Sequence, residues 1–317
     1  MSTFVYLPDR RVLTSSEDGC LDVWNAEDGK KERTLARYED PVDALAVTRD
    51  GKKIIIIIII DDIGRVIVLD VESLRVIQEW AHPEYEFNKI AVCPDNRLVA
   101  LGSWRVLLIC AIEGWHTIQT IEVGESVGCM SFSPNGEKLA CSTRDAIYVY
   151  DVSNGARVVL GPLTGYLWWD LSVLWSHDGS RLYSGSLQLE DKTIHCWDTD
   201  TGDQIGHPWT GHTSCVTSLS LSPDGLILAS ACPDSIRFWR AATGEPIAQC
   251  LSIGSDAMIL VHFSPCGKYV AANLGAGICL WQVPWLDTAE GPVRSSSCPG
   301  VLALIVPCIV TDEYYHP

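Results

Sequence analysis

Short apolar runs recur along the chain, each ended by a compact polar turn and followed by another run of the same kind. The clearest stretches are SLSLSPDGLILASACPDSIRFW at 218–239, MSFSPNGEKLACSTRDAIYVYD at 130–151 and VHFSPCGKYVAANLGAGICLW at 261–281. Each reads as an apolar strand, a turn of the form S-P-D-G, a second strand, another turn, and a third strand closing on an aromatic residue. Pro, Asp, Asn and Gly supply such turns because they preset or tolerate the backbone angles that turns require. No segment sustains a helical period, so the pattern predicts β-structure throughout.

Four diverged copies align with these, at 4–24, 45–70, 90–110 and 171–198. The turn residues Arg10, Gly51, Asn96, Gly136, Gly179, Gly225 and Gly267 are spaced by 41, 45, 40, 43, 46 and 42. A period of about 42 residues is that of one four-stranded propeller blade. The expected fold class is therefore all-β, a seven-bladed β-propeller of four-stranded antiparallel blades over residues 1–283. The blades are placed near 1–40, 41–83, 84–125, 126–165, 166–211, 212–254 and 255–283, with a C-terminal loop and a candidate closing strand in 284–317. Met1 lies almost at the first strand, so the start of the chain is expected not to supply the outermost strand of the last blade. VLALIVPCIV at 301–310 is the candidate for that place, with Pro307 confining it to an edge. An open seam is the alternative.

Residues 51–62 read GKKIIIIIIIDD, a run of isoleucines with no polar face and no alternation. The alignment puts Ile54 to Ile56 on the second strand of the second blade. A neighbour covers each face of such a strand, so continuous β-branched residues suit it. Ile56 stands where the copy at 218–239 has Ser230, and Ile55 and Ile57 replace small residues, an overpacking cost of roughly 1–3 kcal/mol each if the site does not widen. The run is also the window of the chain most prone to aggregate.

Composition narrows the partner. The 317 residues hold 40 Asp and Glu against 23 Lys and Arg, a net charge of -17. Such a chain repels phosphate backbones and anionic lipid, so neither nucleic acid nor membrane is expected, and a basic polypeptide is the better match. The 13 cysteines are scattered singly, and the start MSTFVYLPDR has no charged-then-apolar leader. A reducing setting, cytosolic or nuclear, is expected.

KTIHCWDTDTGDQIGHPWTGHTSCVTSLSLSPDG at 192–225 carries Trp197-Asp198 and Gly211-His212. On these residues and the repeat, the chain resembles the WD-repeat family over nearly all of 4–283. The style of its fifth and sixth copies is similar to arrays found downstream of NACHT-type ATPase domains, although no G-x-x-x-x-G-K-[ST] occurs here. The resemblance implies a buried structural network of His212, Ser230, Asp234 and Trp239 in the sixth blade. Partial versions are implied at Thr14, Asp18 and Trp24 in the first and at Ser184, Asp191 and Trp197 in the fifth. It further implies one partner-binding rim, built from the loops that enter each blade and from the hairpins between second and third strands. Candidate rim residues are Glu39, Asp40, Glu84, Tyr85, Glu86, Trp104, Glu125, Trp168, Trp169 and Asp256. Acid beside exposed aromatic suits a basic, extended peptide. The alternative is solvated turn charge with Trp169 tucked between blades.

Catalytic signals are weak. GESVG at 124–128 matches G-x-S-x-G, but that elbow needs a helix after Ser126, and a strand is predicted there. His207 and His212 are spaced like half a zinc site near Cys196 and Cys215, yet no second tight ligand pair exists. The expectation is a noncatalytic protein-protein interaction scaffold or recognition module, with no cofactor and no metal. The alternative is a propeller enzyme, a metal-dependent hydrolase with a carboxylate-lined central channel.

Overall fold

The computed structural model describes residues 4–7, 11–16, 18–25, 30–60, 63–73, 75–82, 84–144, 146–161, 172–185, 192–253, 260–274, 277–283 and 309–310. Seven antiparallel sheets follow one another along the chain and form a β-propeller, with no helix among the described residues. Blade one holds β1 (Phe4–Tyr6), β2 (Arg11–Ser15), β3 (Cys20–Asn25) and β4 (Lys31–Arg37), and blade two β5 (Val42–Val47), β6 (Lys53–Ile60), β7 (Ile63–Asp70) and β8 (Val76–Ala81). Blade three holds β9 (Lys89–Val92), β10 (Leu98–Gly102), β11 (Val106–Ala111) and β12 (Thr117–Glu122), and blade four β13 (Met130–Phe132), β14 (Lys138–Ser142), β15 (Ile147–Asp151) and β16 (Arg157–Leu160). Blade five holds β17 (Val173–Trp175), β18 (Arg181–Gly185) and β19 (Ile194–Asp198). Its outer place is taken by residues 203–209, which pair with β19 through the bridges Ile194 to Trp209 and Trp197 to Gln204. Blade six holds β20 (Ser218–Leu221), β21 (Ile227–Cys232), β22 (Ser235–Arg240) and β23 (Pro246–Ser252), and blade seven β24 (Val261–Phe263), β25 (Tyr269–Leu274), β26 (Gly277–Gln282) and β27 (Ile309–Val310). The closing strand comes from the tail, with Gly277 opposite Val310 and Ile278 opposite Ile309.

The S-x-D-G turns explain the repeat. In blade six the Ser222 hydroxyl donates to Asp224 at 2.5 Å and accepts from the Ile227 amide at 2.9 Å, while the Gly225 amide donates to the Ser222 carbonyl at 2.8 Å. Thr48 with Asp50, Ser133 with Asn135 and Ser176 with Asp178 repeat the bond. The turn residue adopts a left-handed backbone each time, φ being 67° at Gly51, 61° at Asn96, 74° at Gly136, 72° at Gly179, 74° at Gly225 and 72° at Gly267. Glycine takes that region at no steric cost, and Asn tolerates it.

The isoleucine run is strand for nearly its whole length, and Ile54 to Ile58 are no more than 1% exposed. Its side chains alternate between two neighbours. Ile54, Ile56 and Ile58 pack with Leu7, Leu13, Leu21 and Val23 of blade one, whereas Ile55 and Ile57 pack with Val99, Leu101 and Leu108 of blade three. A strand sandwiched between two blades needs apolar residues on both faces, so alternation disappears from the sequence.

Trp115 departs from the repeat. The bonds from Ala111 N to His116 O, Asp151 N to Ala156 O, Asp198 N to Asp203 O and Arg240 N to Glu245 O align the last turn of blades three to six. Gly155, Gly202 and Gly244 fill the left-handed position in three of them, and Trp115 fills it in blade three with φ 45°. An L-residue there costs roughly 1–2 kcal/mol. The ring is buried between blades two and three, which offsets that strain.

The placement of the run predicts a graded response. Ile57→Ala is expected to lose about 2–5 kcal/mol in chemical denaturation, as a buried large-to-small change does. Ile59→Ala, at the half-buried outer end of β6, is expected to lose well under half of that.

Candidate functional site

Antiparallel order within each blade puts two sets of connections at one end of the ring. These are the loops from an outer strand to the next inner strand, and the hairpins between second and third strands. Backbone bonds knit the two sets together. Tyr38 N donates to Gly19 O at 3.0 Å, Asn88 N to Gly102 O at 3.0 Å, Val123 N to Arg105 O at 2.8 Å and Val127 N to Ser103 O at 3.1 Å. The approach is tight enough that a side chain on Gly19 would collide with the carbonyl oxygens of Tyr38 and Asp40. The rim is thus a framed surface rather than a set of independent loops.

The candidate rim residues divide by environment. Glu39, Glu84 and Glu125 are exposed, and Asp40 and Glu86 are half-buried. Trp104, in the β10–β11 hairpin, is 62% exposed. It lies beside Arg105, whose carbonyl holds the loop that carries Glu125. Tyr85 departs from the expected exposed aromatic. Its ring stacks on His82 at 4.5 Å and 26°, in a cluster with Trp80 and Phe87 that packs against blades two and three. Trp168, Trp169 and Asp256 lie outside the described residues. Glu122 was missed because the repeat places it on an outer strand. The register puts it opposite Val106, at the rim end of blade three near Trp104.

The polar network of blade six has an extra member. Trp239 Nε1 donates to Ser230 Oγ at 2.7 Å, and that hydroxyl shares a 2.6 Å hydrogen bond with His212 Nε2. The other ring nitrogen, Nδ1, meets the Cys232 thiol at 3.0 Å, and the thiol donates to Asp234 Oδ1 at 2.9 Å. Cys232 therefore stands between His212 and Asp234, a member that the sequence does not single out. Thr213 and Ser235 donate to the same carboxylate. The directions close with a neutral ring protonated on Nδ1: indole to serine, serine to Nε2, Nδ1 to sulfur, sulfur to carboxylate.

Among the described residues, blades one and five show the indole bond of this network. Trp24 Nε1 donates to Thr14 Oγ1 at 2.9 Å and Trp197 Nε1 to Ser184 Oγ at 2.9 Å. Asp18 belongs to a different cluster from Thr14 and Trp24. It accepts from Ser16, from the Cys20 thiol at 3.1 Å and from Arg37 at 2.7 Å. The hydroxyl of Ser16 and the thiol of Cys20 hold its carboxyl well below the usual carboxylate range. Asp191 lies outside the described residues. Gly124 to Gly128 lead straight into β13, with no helix after Ser126. His207 is exposed while His212 and Cys196 are buried, and among the described residues no His, Cys, Asp and Glu converge as metal ligands.

Fold and networks together define a seven-bladed propeller in which indole-to-hydroxyl bonds tie second to third strands in blades one, five and six, beneath one framed rim. The family described as WD domain, G-beta repeat matches three segments of the chain, residues 115–151, 163–198 and 203–240. The chain is 23% identical over 270 residues to Telomerase protein component 1 of Rattus norvegicus, covering 84% of this chain and 10% of that protein. It is 25% identical to WD repeat and HMG-box DNA-binding protein 1 of Xenopus laevis, covering 64% of this chain and 18% of the relative. COMPASS component SWD3 of Saccharomyces cerevisiae is 27% identical, over 44% of this chain and 42% of the relative. The chain thus spans less than half the length of each of these relatives.

Burial, with a contribution from nearby Arg237, lowers His212 from 6.5 to about 4, and burial lowers His262 likewise to about 4. Between those values an unfolded chain takes up protons that the folded one refuses. Stability from His212 is therefore full above pH 6.5 and is lost as pH falls toward 4, by about 3 kcal/mol. Urea unfolding across that range should show the decline. His212→Gln, though weaker at neutral pH, should show a shallower one.

Proposed function

We propose that this propeller is a noncatalytic interaction module that holds a basic partner protein or peptide on the rim carrying Glu39, Glu84, Glu86, Glu125 and Trp104. The observation that carries the reading is Trp104, a large indole 62% exposed at the rim among carboxylates of a chain with net charge -17. A guanidinium or ammonium over such a ring gains cation–π attraction, and the surrounding charge accelerates encounter. The half-buried Tyr85 serves the frame, leaving Trp104 as the described aromatic anchor. Thirteen cysteines scattered singly along the chain suit a reducing compartment, cytosol or nucleus. The rival hydrolase would need carboxylates around the central channel. The cavity found there is lined from blades one to four by residues such as Val5, Val47, Ile90 and Phe132, none of them acidic.

An arginine-rich peptide titrated by anisotropy tests this. Glu84→Lys, Glu86→Lys and Glu125→Lys combined should weaken binding about tenfold or more and flatten its salt dependence. Trp104→Ala should weaken it by about threefold or more and leave the salt dependence in place. Unchanged affinity in both variants would remove the proposal.

A further inference from the structure

The innermost strand of each blade is an edge, and alternate backbone groups along it face away from its own sheet. The bonds Thr48 N to Lys53 O at 3.0 Å, Cys93 N to Leu98 O at 2.9 Å and Ser133 N to Lys138 O at 2.8 Å fix the phase in blades two, three and four. One residue earlier, the amides of Val47, Val92 and Phe132 point out of the sheet toward the middle of the ring. Blade seven has the same phase, Ser264 N donating to Tyr269 O at 2.8 Å.

Blades six and seven satisfy such amides with serine. Phe263 N donates to Ser220 Oγ at 2.9 Å, Val261 N to Ser218 Oγ at 3.0 Å, and Leu219 N to Ser172 Oγ at 3.1 Å, each hydroxyl coming from the preceding blade. The repeat identifies the counterparts of Ser220. It stands five residues before Gly225, as Val5, Ala46 and Ala91 stand before Arg10, Gly51 and Asn96. These residues face Val47, Val92 and Phe132, and they have no hydroxyl to offer. In their place is a cavity of about 310 Å³, lined by these six residues and their neighbours on β1, β5, β9 and β13.

An inward row of backbone donors faced by alanine and valine, in a lining to which Tyr6 and Ser131 add hydroxyls, is half of a recognition site. Backbone amides take a partner, either water or a ligand. Ligand sites combine a mostly apolar wall with a few placed polar groups, in volumes of roughly 300–1,000 Å³. The lining has no carboxylate to hold a cation. The net charge of -17 disfavours an anion. We propose that this part of the central channel binds an uncharged, largely apolar small molecule whose carbonyl or ether oxygens accept from the inner-edge amides of blades two to four.

Prodan, a neutral naphthalene ketone whose emission shifts to the blue in apolar surroundings, is a suitable probe. The wild-type protein should bind it saturably with a blue shift. Ala46→Ser combined with Ala91→Ser restores the hydroxyls that blades six and seven use, and should weaken binding about tenfold. Ala91→Phe fills the cavity and should abolish binding. Far-UV circular dichroism and the unfolding midpoint check each variant, and the serine pair decides if the phenylalanine variant does not fold. Absence of saturable binding, meaning that solvent alone meets these amides, overturns the proposal. So does equal binding by wild type and the folded variants, which would place the probe on exposed aliphatics such as Ile77 and Ile118.

Discussion

No blade of this ring covers its own apolar faces, and the neighbouring blade does it instead. Leu13 and Leu21 of blade one meet Ile54 and Ile56 of blade two, Ile57 meets Leu101 of blade three, and Leu107 meets Leu139 of blade four. The series continues with Val149 against Leu182, Cys196 against Leu228 and Phe238 against Val270. Phe4 and Val12 close it against Ala271 and Leu280 of blade seven, where Phe4 also stands edge-on to His262 at 5.0 Å. A four-stranded sheet alone would leave both faces in water, so the stable unit is the ring. The isoleucine run is the extreme form of this constraint, a strand with nothing but partners on either side.

The polar features are local answers to the same enclosure. Burying a tryptophan between blades also buries its indole N–H, and a hydroxyl on the second strand accepts from it in blades one, five and six. Blade six extends that bond outward, through His212 and Cys232 to Asp234. At the centre, serines close the inner edges of the later blades, whereas alanine and valine leave the earlier ones open. The ring therefore has two ends and a centre of different chemistry: a framed acidic rim with Trp104, a far end of S-x-D-G turns, and a channel that is apolar along blades one to four.

Much of this was legible in the sequence because a repeat reports the same geometry many times. The turn residues from Gly51 to Gly267 each turn the backbone left-handed at the same place in a blade, so their spacing counted the blades. The pairs Thr14 with Trp24 and Ser184 with Trp197 were implied by the family resemblance, and the register sets them diagonally: Trp24 lies opposite Val12, two residues from Thr14, and Trp197 opposite Leu182, two residues from Ser184. What escaped is what breaks the repeat. Cys232 reads as an ordinary strand residue, and only packing shows its sulfur between a ring nitrogen and a carboxylate. Asp18 was assigned by position, but Arg37 on the outer strand draws it into another cluster. Tyr85 has the sequence of an exposed rim residue, and the rings of His82 and Phe87 nearby cover it. The row of inward amides leaves no trace in side-chain pattern beyond the absence of a serine.

Native-state amide hydrogen exchange, followed with increasing denaturant, tests most directly whether each blade exists only through its neighbours. Slow amides of Ile56 in β6, Ile109 in β11, Val149 in β15 and Leu228 in β21 should converge on one opening free energy, equal to that of global unfolding. Separate, stepwise openings, with some blades exchanging freely while others keep full protection, would contradict the account.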